Sequence, residues 1–113
     1  MDDQRYCPHF HHTVELLGRR WSGVILWVLV AGPARFGEIR DRIPGLSDRL
    51  LTSRLAEFEA EGLVKRCDHD GASCYRLTEK GRALEPVIDA ITTATRTWAA
   101  AEAPATKPGR IRT

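Results

Sequence analysis

The chain has 113 residues, of which 42% are hydrophobic and 28% are charged, and this composition is typical of a single soluble globular domain. Seventeen Lys and Arg residues against 15 Asp and Glu residues leave a net charge of +2, so the total charge does not by itself favour nucleic acid as a partner. No apolar run approaches the roughly 18 residues of a membrane span, and the Met-Asp-Asp start lacks the pattern of a secretory signal. We therefore expect a cytoplasmic protein that does not bind membranes.

Catalytic motifs are missing from the sequence. It contains no phosphate-binding loop and no Gly-x-Ser-x-Gly nucleophile turn, and its carboxylates fall mostly on predicted exposed helix faces. A domain of this size also rarely encloses a deep active site. We therefore predict that the protein is not an enzyme and that it needs no cofactor.

Two helices are predicted in the first third of the chain. Thr13 can cap a short helix that Gly18 ends. Ser22 can cap a second helix over residues 23–31, which Gly32-Pro33 ends. The second segment is apolar on nearly all sides, so we expect it to form the buried centre of the core.

The next two helices each have one apolar side. Residues 36–43 carry apolar side chains at spacings of three and four, and a Pro-Gly turn follows them. Ser47 then caps the most regular segment of the chain, residues 48–61. Its apolar stripe comprises Leu51, Leu55 and Phe58. Its outward face carries Arg49, Thr52 and Ser53 near the N-terminal end, whereas its glutamates gather at the other end.

A β-hairpin is predicted next, with strands over residues 63–68 and 73–77. Asp70-Gly71 lies between them, and Asp-Gly between β-rich segments is the strongest short hairpin signal. If these two residues form the loop, Cys67 lies opposite Cys74. Their Cα atoms would then be roughly 5.5 Å apart, which is within the range of a disulfide.

Thr78 can cap a final helix whose apolar residues recur at spacings of three and four, among them Val87, Ile91 and Trp98. Pro86 lies inside this pattern and should kink the helix or mark its true start. The last residues have no apolar pattern. We therefore predict a domain over residues 1–101 and a disordered tail over residues 102–113.

The order of these elements is typical of one fold. A short helix, a tight turn and a second helix with a polar N-terminal face form a helix-turn-helix, and a hairpin directly after it is the wing of a winged helix. The predicted fold class is therefore mostly α with a small β-hairpin, a winged helix-turn-helix with extra terminal helices.

A winged helix suits double-stranded DNA, because a helix fits the major groove and its N-terminal residues reach base edges. Arg49 suits a guanine edge, and Thr52 and Ser53 suit bases or phosphates. Lys65 and Arg76 share one strand face and can contact phosphates. The predicted DNA-binding residues are Arg35, Ser47, Arg49, Thr52, Ser53, Lys65 and Arg76.

A rival interpretation is a winged helix that contacts only other proteins. Residues 35–82 hold ten basic and nine acidic side chains, so the module is not basic overall and its non-specific affinity for DNA should be weak. A protein-binding module would be expected to carry an apolar or acidic recognition face. The polar face around Arg49 favours DNA instead.

Several linked motifs occur in order between residues 7 and 98. They are Cys7-Pro8, VELLGRRW at residues 14–21, RFGEI at residues 35–39, LSDRLLT at residues 46–52 and YRLTEKG at residues 75–81. Together they resemble the HxlR-type transcriptional regulators, which are distantly like the MarR group. The resemblance implies a bacterial regulator that binds partly palindromic operators as a homodimer, paired through its terminal helices. The wing differs from the pattern of the family. The segment between its two strands is often longer in the family, whereas here it comprises only residues 68–73.

The final helix supports the homodimer. It is more than four turns long, and the rest of the domain is too small to cover both of its sides. Val87, Ile91 and Trp98 would therefore form an exposed stripe unless a partner buries them. The alternative is that this stripe folds onto the first helix of its own chain. We favour the dimer, because an operator with two-fold symmetry requires two copies.

The three cysteines suggest two thiol signals. Some members of the family carry a sensing cysteine at the position of Cys7, and Arg5, His9 and His11 are close enough in sequence to favour its thiolate. The alternative is that Cys7 is a small packing residue. For the second signal, oxidation of Cys67 and Cys74 would pin the wing, against the alternative of two free thiols on a strand face.

Two other effectors are weaker candidates. The three Cys and four His side chains show no established metal-binding spacing, so we predict no metal site. Phe10, Trp21, Trp27 and Trp98 can line an aromatic pocket for a small-molecule effector at a dimer interface. Plain core packing is the stronger interpretation of these four residues.

Overall fold

A computed structural model describes residues 6–102 of the chain. Its elements are α1 (Pro8–Leu17), α2 (Ser22–Val30), α3 (Phe36–Arg42), α4 (Asp48–Ala60), β1 (Val64–His69), β2 (Ala72–Leu77), α5 (Glu79–Arg82) and α6 (Glu85–Glu102). The predicted class, mostly α with one hairpin, is confirmed. Residues 1–5, which include Arg5, and residues 103–113 of the predicted tail lie outside the described part. Within residues 6–102, no helix is long and apolar enough to cross a membrane.

The first helix is longer than predicted. It begins at Pro8 rather than after Thr13, because proline at the first helical position fixes a helical φ and has no N–H group to leave unpaired. Thr13 lies inside the helix, where its hydroxyl donates a hydrogen bond to the carbonyl oxygen of His9 (3.0 Å). The His-rich segment is therefore part of α1.

The second helix forms the centre of the core, as predicted. It packs against α1, α3, β2 and α6, and Ile25, Leu26 and Leu29 are almost fully buried. Ser22 does not cap it, which corrects the prediction. Trp21 precedes the helix in the left-handed conformation (φ 76°), and its ring packs against Gly45 in the turn between α3 and α4.

Three apolar side chains fix α4 against the rest of the protein. Leu51, Leu55 and Phe58 are at most 1% exposed, as the stripe predicts. Because all three face the core, the opposite side of α4 must face solvent.

The hairpin has the predicted register. Strands β1 and β2 are antiparallel, with Cys67 opposite Cys74 and Val64 opposite Leu77. Asp70 and Gly71 both have positive φ, which is typical of the tight two-residue turn that Asp-Gly favours. The base of the hairpin joins the core through Val64 and Leu77, which are buried.

The predicted final helix is divided in two. Thr78 caps the short α5, and its hydroxyl accepts a hydrogen bond from the backbone N–H of Gly81 (3.0 Å). Helix α6 begins at Glu85, so Pro86 marks its start, which is one of the two predicted outcomes. Helix α6 packs on α2, with Ile88 buried.

Gly81 allows the close approach of α5 to the segment before β1. A Cβ atom at this position would overlap the carbonyl oxygen of Leu63, which also accepts a hydrogen bond from the backbone N–H of Thr78 (2.9 Å). We expect Gly81→Ala to destabilise the fold by about 2 kcal/mol and lower the melting temperature by about 10 °C. Differential scanning calorimetry at one protein concentration measures this.

Gly37→Ala is the matched control for this substitution. A Cβ atom at Gly37, inside α3, would meet only the flexible end of Arg40, at 3.6 Å. Alanine favours the helix there, so stability should stay constant or rise by up to about 1 kcal/mol. Equal melting temperatures for the two variants would contradict the predicted overlap at Gly81.

Candidate nucleic-acid interface

The turn between α3 and α4 sets the start of α4. Gly45 adopts a positive φ (89°), and Leu46 is buried beside it. The hydroxyl of Ser47 accepts a hydrogen bond from the backbone N–H of Leu50 (3.1 Å), so Ser47 caps α4 as predicted. This cap occupies the hydroxyl as an acceptor, and its hydrogen can still be donated to a phosphate.

An ion pair joins the two helices of the helix-turn-helix, and the sequence did not predict it. The Arg40 guanidinium donates to both carboxylate oxygens of Asp48, at 3.0 and 3.3 Å. Hydrogen bonding to Asp48, then its charge, and then the same two effects of Asp41 raise the pKa of Arg40 above its ordinary value. The pair neutralises the one acidic side chain in the first turn of α4. The two residues are eight positions apart across a turn, so no helical spacing rule reveals the contact.

The outward face of α4 presents the predicted polar side chains to solvent. Arg49, Thr52 and Ser53 are all exposed at the N-terminal half of the helix. None of the ion pairs within residues 6–102 includes Arg49. The guanidinium therefore keeps its donors available for a base edge.

The acidic end of α4 is paired with basic residues from other parts of the fold. The carboxylate of Glu57 lies 3.2 Å from Arg19 and 3.4 Å from Arg54. Glu59 contacts Arg66 of β1 at 3.4 Å, and Glu61 contacts His12 of α1 at 2.7 Å. The glutamates at the C-terminal end of α4 thus each lie within ion-pair distance of a basic side chain.

The wing places two cations directly opposite each other. Lys65 of β1 pairs in register with Arg76 of β2, and both side chains are exposed. Two backbone hydrogen bonds between Ala34 and Tyr75, of 3.0 and 2.8 Å, tie β2 to the segment just before α3. The wing is thereby attached to the helix-turn-helix.

Arg35 lies beside the wing tip. Its side chain is exposed, and it lines a cleft of about 370 Å³ with Glu38, His69, Asp70 and Cys74. The backbone N–H of Arg35 donates to the carboxylate of Glu38 (2.7 Å), which caps α3. All seven side chains predicted to bind DNA are exposed, on α4 and its cap residue, on the wing and on the segment just before α3.

The cysteines occupy two different places. Cys67 and Cys74 form a disulfide across the hairpin, with Cα atoms 4.9 Å apart. Cys7 is a free, half-buried thiol just before α1, and its carbonyl oxygen accepts a hydrogen bond from the N–H of His11 (3.0 Å). The ring of His11 faces Glu15 at 3.3 Å.

An apolar surface runs along α2 and α6. The predicted stripe is exposed, with Val87, Ile91 and Trp98 at 40%, 55% and 66%, so it is not covered by the chain's own first helix. Val24 and Trp27 of α2, which the apolar pattern predicts to be buried, are also exposed and line a groove of about 470 Å³ with Ile91. We call this groove and the stripe the apolar face. The sequence does not predict this exposure, because α2 is apolar on nearly all sides and its pattern does not show which side faces solvent.

Comparison with known proteins identifies the family. Residues 16–103 match the HxlR-like helix-turn-helix family. The chain is 39% identical over 101 residues to the HTH-type transcriptional regulator YvaP of Bacillus subtilis, covering 87% of this chain and 94% of YvaP. It is 42% identical over 85 residues to the regulator YodB of the same organism, covering 73% and 76%.

Solved structures agree with this assignment. The reduced form of YodB superimposes with a TM-score of 0.70 at 39% identity, covering 84% of this chain and 92% of YodB. The redox regulator HypR in its reduced form gives 0.68 at 31% identity, covering 83% and 92%. A MarR-family regulator of Enterococcus faecalis gives 0.71 at 25% identity, covering 92% and 99%. The chain therefore belongs to the HxlR family of winged helix-turn-helix transcriptional regulators.

Proposed function

We propose that the protein regulates transcription by binding a pseudo-palindromic operator in double-stranded DNA as a homodimer. The observation that carries this proposal is the charge arrangement on α4. Arg49, Thr52 and Ser53 are exposed where a recognition helix reaches base edges, whereas the glutamates of the same helix are paired at its far end.

The wing and the segment before α3 supply phosphate contacts in this proposal. Arg35, Lys65 and Arg76 are exposed cations that flank the recognition helix in the chain. Contacts of this kind position a protein on the duplex and release counterions, so they determine the salt dependence rather than the sequence preference. The hydroxyl of Ser47, at the start of α4, is suited to the same backbone.

The apolar face supports the homodimer. Val87, Ile91 and Trp98 expose large apolar side chains along one side of α6, next to the groove that Trp27 lines. An exposed apolar patch of this extent is typical of a contact surface. A two-fold pairing through this face would present two copies of α4 to two half-sites.

An oxidant or an electrophile is the effector that the family relationship favours. YodB has been solved in quinone-bound and diamide-treated forms, and HypR, a redox regulator, in reduced and oxidised forms. Cys7 is the free thiol of the described residues and is partly accessible, so it is the first candidate for such chemistry. A small apolar ligand in the groove beside Trp27 is the alternative.

Binding to duplexes selected in vitro from a random-sequence pool tests the DNA-binding role. We expect Arg49→Ala to weaken binding to the selected duplex by about 1–3 kcal/mol, because the substitution removes a bidentate hydrogen bond to a base. Binding to a scrambled duplex should hardly change. Fluorescence anisotropy across a salt series measures both.

Lys65→Ala is the comparison for Arg49→Ala. It should weaken binding to both duplexes alike and lower the salt slope by about 1 for each phosphate that the side chain no longer neutralises. Equal weakening on both duplexes for Arg49→Ala would contradict a base contact. If no duplex is enriched, or if binding does not respond to salt, the DNA-binding proposal is wrong and a protein-binding module becomes the better description.

Sedimentation equilibrium tests the dimer. The unmodified protein should have twice the monomer mass, and Ile91→Glu should shift it to the monomer, because an unpaired charge buried in an apolar interface costs several kcal/mol. Thr93→Glu introduces the same charge at an exposed position on nearly the opposite side of α6 and should leave the dimer intact. A monomer mass for the unmodified protein, or dissociation by both substitutions, would contradict pairing through this face.

A further inference from the structure

One face of the wing hairpin carries a cysteine pair next to a pair of like charges. Lys65 lies opposite Arg76, and Cys67 lies opposite Cys74, two residues further towards the turn. Side chains two residues apart on a strand point to the same side, so the disulfide and the two cations share one face. The disulfide is therefore the nearest cross-link to the cations that we assign to phosphate binding.

The two cations oppose the pairing of the strands that carry them. Like charges directly opposite each other destabilise an antiparallel pair, and this sheet has only two strands. Within residues 6–102, no ion pair with an acidic side chain includes Lys65 or Arg76. The pairing of β1 with β2 at this position therefore depends on contacts to either side of the two cations.

The disulfide lies between a fixed base and a free tip. The base is held by buried Val64 and Leu77 and by the two hydrogen bonds between Ala34 and Tyr75. Beyond the cysteines, residues 68–73 are almost entirely exposed. Without the cross-link, the tip can open without disturbing the core. With it, β1 is joined to β2 on the turn side of the cations, so that Lys65 is held opposite Arg76, which Tyr75 and Leu77 fix from either side.

We propose that Cys67 and Cys74 form an oxidant-sensitive pair whose disulfide fixes the wing in its DNA-binding conformation. Oxidation then strengthens operator binding, and reduction weakens it, because the oxidised wing does not have to be ordered when it meets DNA. On the operator, phosphates neutralise Lys65 and Arg76 and remove their repulsion. The inference rests on the DNA-binding role proposed above, and it is independent of Cys7.

A peroxide can drive the reaction in two steps. The thiolate of Cys67, which is the more exposed of the two, attacks one peroxide oxygen, and the O–O bond breaks to give a sulfenic acid and a hydroxide. The hydroxide takes the proton that the Cys67 thiol released and becomes water. The Cys74 thiol then attacks the sulfenic sulfur, the S–O bond breaks, and the departing hydroxide takes the Cys74 proton and leaves as a second water. The two thiols are oxidised to one disulfide, and one hydrogen peroxide is reduced to two waters. A small thiol reverses the change by thiol–disulfide exchange, which yields its own disulfide.

The experiment compares a Cys7→Ser protein with a Cys7→Ser/Cys67→Ser/Cys74→Ser protein, so that Cys7 cannot contribute. Each full-length protein is reduced, freed of reductant, divided and treated with or without hydrogen peroxide. Mass spectrometry of each sample reports loss of two hydrogen atoms when the disulfide forms. Fluorescence anisotropy then measures the Kd for the selected duplex, and hydrogen exchange measures the amides of residues 68–73.

We expect peroxide to tighten binding of the Cys7→Ser protein by about three- to tenfold, through preorganisation of the wing. Exchange at residues 68–73 should slow by about tenfold, since opening of the tip now requires more of the hairpin to break. The triple variant should show neither change, and added thiol should restore the reduced values in the Cys7→Ser protein.

Three results would overturn the inference. They are a failure of the disulfide to form, an unchanged exchange rate at residues 68–73 after it has formed, or the same peroxide response in the triple variant. If the protein binds the selected duplex equally well in both redox states, the redox inference alone is wrong. If it binds no duplex in either state, the proposed DNA-binding function is wrong, and the proposed effect of the disulfide on DNA affinity is then wrong as well.

Discussion

The burial of one stripe of α4 determines the rest of the interface. Leu51, Leu55 and Phe58 are almost completely removed from solvent, and each side chain of this size contributes about 1.5–3 kcal/mol when it is buried. Rotation of α4 about its axis would expose all three at once. Exposed ion pairs contribute far less, so they adjust the position of α4 but do not choose its orientation. The side chains presented to a partner therefore follow from the hydrophobic periodicity.

The net charge of +2 does not show how the charges are distributed over the fold. The glutamates of α4 contact Arg19, Arg66 and His12, which come from three other parts of the fold. Asp48, the acidic residue closest to the predicted base contacts, is paired with Arg40. The acidic side chains at both ends of α4 are thus paired locally, although basic and acidic residues are nearly equal in number. A near-neutral module can bind DNA in this way while its affinity depends on the correct site rather than on total charge.

Local signals predict α4 and the wing well. A strict apolar spacing determines which side of α4 is buried, and Asp70-Gly71 determines the register that brings Cys67 and Cys74 together. Features that depend on packing between distant residues are not predicted. Trp21 adopts a left-handed conformation, and its ring packs on Gly45, which lies in another turn. Helix α1 has no apolar pattern before Thr13, so periodicity does not reveal its extension to Pro8.

The apolar helix α2 shows a second limit, because a pattern that is apolar on nearly every side indicates burial without saying which partner provides it. Only the packing of α6 against α2 divides its residues between the core and the exposed groove.

The short turn of the wing limits how far the hairpin extends from the core and determines where its cations lie. A two-residue turn leaves the tip of the hairpin with Asp70 and Gly71, which carry no positive charge to place in a minor groove. The cations Lys65 and Arg76 sit near the base instead, where β2 is tied to the helix-turn-helix through Ala34. Their position is therefore coupled to the recognition helix, but their mutual repulsion opposes the hairpin that positions them. A cross-link two residues away from them counteracts that repulsion without lengthening the wing.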